Sequence, residues 1–183
     1  MTADATHHPT QASTQQATTS ATDTTAETAW LDEDEQRSWR AFLVGTTLLM
    51  DRLDRDLREH HDLSMPEYEI LVRLSEAPDH RMRMAELAGS VSHSRSRVTH
   101  TVARMEKAGL VSRSACVSDG RGVEASLTDQ GYDLLRKAAP THVAGVRELL
   151  VDLAGPEDFA ATGRVFNAVT DKLVGGNPSA DIR

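Results

Sequence analysis

Residues 92–113, SHSRSRVTHTVARMEKAGLVSR, contain a change of period that few folds accommodate. Up to Gly109 the apolar positions follow a helix: Val98, Val102 and Met105 stand at i, i+4 and i+7 and share one face. Beyond the glycine the repeat falls to two. Val111, Ala115 and Val117 line one side of a strand, and Val123, Ala125 and Leu127 alternate along the next. Ser118-Asp119-Gly120-Arg121-Gly122 between them reads as a hairpin tip. Gly109 is placed to end the helix 94–108 in a left-handed C-cap, so that helix feeds directly into a two-stranded hairpin. Cys116 falls out of phase with Ala115 and Val117, which predicts partial exposure.

With Val98, Val102 and Met105 turned to a core, the opposite face of 94–108 carries Ser96, Arg97, His100 and Arg104. Thr99 flanks them, and Arg95 and Ser94 stand at the start. The chain has a net charge of −8, yet residues 81–121 hold eight Lys and Arg against three Asp and Glu. Acidic regions more than a Debye length away, about 8 Å at physiological salt, are largely screened. The block can therefore bind phosphate locally although the protein as a whole is no polycation. Arginine forms paired bonds to guanine O6 and N7, and short hydroxyls bond phosphates or base edges, so this face suits the DNA major groove. Ser94 at the helix start leaves N–H groups for a phosphate. The plainer alternative, a solvated basic face, loses ground because a short helix precedes this one and a hairpin follows. At the tip, Arg121 suits the negative potential of a narrow minor groove. Asp119 either orients an arginine or is a turn residue held by its own Asx hydrogen bond.

Elsewhere the periodicity predicts only helices. Residues 1–29, rich in Thr, Ala, Ser and Gln, lack an apolar repeat and read as a disordered arm. From Trp39 an apolar stripe marks a helix over about 33–60. Ser64-Met65-Pro66-Glu67 is a capping box, opening a short helix that Pro78 closes, and 84–91 form the next. Thr128 caps a long helix to about 153, kinked by Pro140, and 156–174 form the last, before a frayed tail at 175–183. The fold class is mainly α with a small β-hairpin wing. The winged helix-turn-helix unit, 62–127, is too small to cover the stripes on 33–60, 129–153 and 156–174, which predicts a two-fold dimer.

Several function classes fall away. No apolar run is long enough to span a membrane, and the N-terminus lacks a secretory h-region. A single cysteine excludes an internal disulfide and fits a cytoplasmic location. Glycine-loop, nucleophile-elbow and HExxH motifs are missing, so no enzyme and no cofactor are expected. His60-His61 beside Asp56 has no second cluster at ligand spacing, so no metal is expected. Cys116 has no neighbouring Lys or His to activate it for redox sensing. The remaining alternative to a DNA-binding protein is a winged module that mainly binds a protein partner, and the basic face argues for DNA.

Over residues 33–174 the chain resembles the MarR family of bacterial regulators. The resemblance rests on EYEILVRLSEAP, RMRMAELAGSVSHSRSRVTHTVARMEKAGLVSR, the wing motif Asp119-Gly120-Arg121, and Leu127-Thr128-Asp129-Gln130-Gly131. It implies a homodimer with intertwined terminal helices on an inverted-repeat operator, and a repressor released by a small-molecule effector. The effector would sit between the dimerisation helices and the winged unit. Trp30, Trp39, Phe42, His61 and Arg73 are candidates to line that pocket, and equally suit dimer core or surface.

Overall fold

The computed structural model describes residues 28–91, 93–116 and 122–174. The expected arm up to residue 27, the tail 175–183, and the hairpin tip with Val117, Asp119 and Arg121 lie outside them.

Asp32 starts α1 (Glu33–His61) with a reciprocal cap. Its carboxylate accepts the Glu35 N–H at 2.8 Å, and the Glu35 carboxylate accepts the Asp32 N–H at 2.9 Å. Asp62, in the left-handed region at φ 52°, ends the helix. The capping box at Ser64 opens α2 (Met65–Glu76), where the Glu67 carboxylate accepts the Ser64 N–H at 2.9 Å and also the Ser64 hydroxyl. A 3-10 turn (Pro78–His80) leads into strand β1 (Arg81–Arg83), then α3 (Met84–Ser90) and α4 (Arg95–Lys107). β2 (Val111–Ala115) and β3 (Val123–Leu127) form the wing, followed by α5 (Asp129–Val146), a π turn (Arg147–Val151) and α6 (Pro156–Val174).

Three sequence expectations need correction. The wing is a three-stranded antiparallel sheet of order β1-β3-β2, with Met82 opposite Ala125 and Arg113 opposite Ala125 on the other side. A three-residue strand is too short to announce itself by alternation. The long helix does not run regularly to 153. It continues past Pro140 to Val146 and then widens, the Asp152 N–H reaching the Arg147 carbonyl at 2.8 Å. Cys116 is buried, at 3% exposure, while Ala115 is exposed. Only Val111 of β2 lies over the core. At the far end of this edge strand the alternation lapses, and Cys116 turns inward: its N–H bonds the Gly122 carbonyl at 2.8 Å and its thiol donates to Glu124 Oε1 at 3.1 Å.

The core joins the C-terminal half of α1 (Leu53, Leu57) to α2 (Ile70, Leu71, Leu74), α3 (Leu87) and α4 (Val98, Val102, Met105), with Leu135 and Ala138 of α5 closing it. Each fully buried aliphatic side chain stabilises the fold by about 1.5–3 kcal/mol relative to exposure. The end of α4 is fixed by a Schellman motif. Gly109 at φ 76° donates to the Glu106 carbonyl and Leu110 to the Met105 carbonyl, both at 3.0 Å. The Thr128 hydroxyl then donates to the Gly109 carbonyl at 2.7 Å, and its oxygen accepts the Gly131 N–H at 3.0 Å. The Leu-Thr-x-x-Gly stretch is thus the joint between the end of α4 and the start of α5.

Candidate nucleic-acid interface

Core packing, an N-terminal cap and ion pairs to β2 and α2 hold α4 and leave its outer face open. Val98, Thr101, Val102 and Met105 are buried. The Ser94 hydroxyl caps the helix by accepting the Arg97 N–H at 3.3 Å. At the other end Glu106 and Arg113 tie the helix to β2 through Arg113 Nη2 at 2.6 Å and the Arg113 N–H at 3.0 Å. Arg113 is thereby spent on structure. Ser94, Arg95, Ser96, Arg97, Thr99, His100 and Arg104 all lie exposed. The Thr99 hydroxyl is turned back to the Arg95 carbonyl at 2.8 Å.

Arg104 differs from its neighbours, because its Nε donates to Glu67 Oε1 at 2.9 Å. Burial works to raise the Glu67 carboxyl, but hydrogen bonds from the Ser64 hydroxyl and backbone, and then from Arg104, outweigh it and hold the group below its ordinary value. The carboxylate that caps α2 thus also orients an arginine of α4. The capping-box motif disclosed Glu67, though not this second role.

Arg83, which the sequence reading did not single out, joins the surface at the end of β1. It lines a shallow cleft of about 320 Å³ with Arg95 and Thr99 of α4 and Gly122 at the base of the wing. Its signal was present in the basic RMR stretch, but placing it beside Arg95 requires β1 to pair with β3.

A second feature lies away from α4. A cavity of about 330 Å³ opens between α1, α2 and α5, lined by Leu53, Met65, Tyr68, Glu69, Arg73 and His142 with further aliphatic side chains. Burial lowers the His142 pKa and raises that of Tyr68, and the two rings lie 4.6 Å apart. Of the five side chains considered for an effector pocket, Arg73 lines this cavity. The other four lie elsewhere. Trp30 is 87% exposed. Trp39 stacks on Phe42 at 5.5 Å, Phe42 meets Phe166 of α6 at 5.3 Å, and His61 Nε2 lies 2.8 Å from the Thr141 hydroxyl. Among the described residues no cluster of His, Cys, Asp or Glu could hold a metal, and no helix is long and apolar enough to cross a membrane.

The same arrangement recurs in known proteins. The MarR family model matches residues 63–123, from two residues before α2 to the first residue of β3. AbsC, a MarR family transcriptional regulator from Streptomyces coelicolor, is 44% identical, superposes with a TM-score of 0.77, and is matched over 81% of this chain and 99% of its own. Sco3205, a regulator of the same family and organism whose crystal structure is a complex with DNA, is 42% identical with a TM-score of 0.79 over 85% and 96% of the two chains. The HTH-type transcriptional repressor Rv2887 of Mycobacterium tuberculosis is 32% identical over 61% of this chain and 75% of its own length. These relatives are transcriptional regulators and not enzymes. With its winged fold, its wing motif and its α4–α5 joint, the chain belongs to the MarR family of transcriptional regulators.

Proposed function

We propose that this protein is a homodimeric repressor that binds an inverted-repeat operator through α4 and releases it when a small molecule occupies the cavity behind α2. The observation that carries the DNA reading is the outer face of α4, an exposed Arg/Ser/Thr surface whose opposite side is locked into the core. Arg95, Ser96, Arg97, Thr99 and His100 reach the major groove, and Ser94 with the N–H groups of the first turn receives a phosphate. Arg104, oriented by Glu67, and Arg83 flank this contact as backbone anchors. Arg121 enters the adjacent minor groove from the wing, with Asp119 orienting it. The DNA complex of the 42%-identical Sco3205 supports this reading, and the repressor named at 32% identity supports the sign of regulation. The half-open, mostly apolar cavity with a few polar groups supports the effector.

The test is selection of DNA fragments by the purified full chain, followed by affinity measurements on single-base variants. Inverted half-sites should emerge about 34 Å apart, one helical turn. Arg97→Ala should cost about 1–3 kcal/mol and relax preference at one symmetric pair of positions. Arg121→Ala should weaken all sites of similar groove width and lower the salt slope by about one per subunit. Selected sites without an inverted repeat, or an Arg97→Ala variant with unaltered base preferences, would overturn the assignment.

A further inference from the structure

We propose that the ligand of the cavity between α1, α2 and α5 is an apolar molecule carrying a protonated amine, and that Glu69 both binds it and relays its presence to the start of α4. The proposal deepens the effector reading given above and rests on it.

Arg73 and the Tyr68 hydroxyl supply donors to the cavity wall, but two groups on it, Glu69 and His142, receive none. Among the described residues Glu69 accepts no hydrogen bond; its nearest partner, His93 Nε2, stands 3.6 Å from Oε2. Across the cavity His142 Nδ1 is buried without a partner. A neutral imidazole can present that nitrogen as an acceptor, and a carboxylate is acceptor only. The one cation on the lining, Arg73, is turned to Glu76 at 3.4 Å, which offsets its charge. A carboxylate ligand would bring a second anion to Glu69 and supply no donor. An amine supplies up to three N–H donors and the opposite charge, while its apolar body meets Leu53, Met65 and Tyr68. Burial already raises the Glu69 carboxyl against the pull of His93, Arg73 and Arg97, so a compensating cation is favoured there.

Glu69 also faces α4. His93 directly precedes the cap Ser94, and its own Nε2 is buried without a hydrogen bond. Arg97 in the first turn of α4 acts on the same carboxylate. Negative charge near a helix N-terminus stabilises that end. An amine that engages Glu69 withdraws this charge from the segment bearing Arg95, Ser96 and Arg97, loosens it, and lowers affinity for DNA. Linkage requires the operator to weaken the amine by the same factor.

The test titrates the full chain and a Glu69→Gln variant with three probes of similar shape: 2-phenylethylamine, 2-phenylethanol and 3-phenylpropanoate. Each titration is run with and without the selected operator fragment. The amine should bind wild type about tenfold or more tightly than the alcohol, as a charged hydrogen bond implies, with the carboxylate weakest. Glu69→Gln should bring the amine to the level of the alcohol. Saturating amine should weaken operator affinity of wild type about fivefold or more, and leave that of the variant unmoved. Tightest binding by the carboxylate, equal amine affinity in the two proteins, or an operator affinity indifferent to bound amine each overturns the proposal. Should Glu69→Gln fail to fold, the ranking of the three probes on wild type still decides the ligand chemistry. If no DNA is selected at all, the repressor reading falls while that ranking still stands as a separate result.

Discussion

At the scale of single residues, charge pairs set which arginines of α4 are free. Arg95 and Arg97 lie exposed on the outer face, whereas Arg104 is held at 2.9 Å by Glu67. Because the folded Glu67 carboxyl lies below its ordinary value, the folded state binds its proton less readily than the unfolded chain. Its contribution to stability is therefore present above about pH 4.5, the ordinary glutamate value, and is lost as pH falls through the depressed folded value. Glu67→Gln should lower the melting temperature at pH 7, and the gap to wild type should close on acidification below about pH 4. A constant gap across that range would show that the charge is immaterial and the packing alone matters. Ser96, Arg97, His100 and Arg104 were legible as one face, with Thr99 beside it and Ser94 and Arg95 at the helix start, because the period of a helix fixes which residues share a side. The Arg104–Glu67 pair was not, since 37 residues of chain separate partners that only the packing of α2 on α4 unites.

At the scale of elements, the joint between α4 and α5 explains a short motif that periodicity alone leaves unexplained. Gly131 lies against the Leu110 carbonyl, where an added Cβ would stand 2.1 Å from that oxygen and 2.8 Å from Leu127 Cδ1. The obstacle is backbone fixed by the Schellman turn and by Thr128, so it cannot step aside. Gly131→Ala should cost about 1–3 kcal/mol, the usual range for overpacking, measured by denaturant melts. Gly109→Ala acts differently, through the strain of a side chain at φ 76°. Both should reduce operator affinity less than stability, since neither touches the exposed face of α4. A Gly131→Ala protein as stable as wild type would mean that α5 can shift away from the wing. Helices and the wing strands were readable because their apolar spacings differ, 3.6 against 2. The three-residue β1 and the inward turn of Cys116 were not, because there tertiary pairing overrides a local pattern, and the π turn at Arg147–Val151 leaves no mark in the apolar spacing.

At the scale of the whole molecule, the apolar stripe of α1 divides in two. Leu53 and Leu57 are buried in the chain's own core, while Trp39, Leu43 and Met50 of the same stripe remain 44–51% exposed. On α6, Phe159, Val165, Phe166 and Val169 are likewise 39–59% exposed. The sequence reveals the stripe, since spacing fixes the face, but not which half the chain covers by itself. Contiguous apolar surface of this kind marks an interface, and Phe42 against Phe166 already joins the two uncovered faces into one. We propose a second copy as the occupant, which would match the inverted half-sites proposed above. Sedimentation at micromolar concentration should therefore give about twice the single-chain mass of 20.0 kDa. Val165→Glu, which alters a side chain 59% exposed in the single chain, should leave the helical content intact and yield monomers. Those monomers should bind an operator more than about tenfold more weakly, because the second half-site is no longer tethered. A wild-type mass of one chain would overturn the dimer, and a Val165→Glu protein still dimeric and undiminished in affinity would place the subunit contact elsewhere.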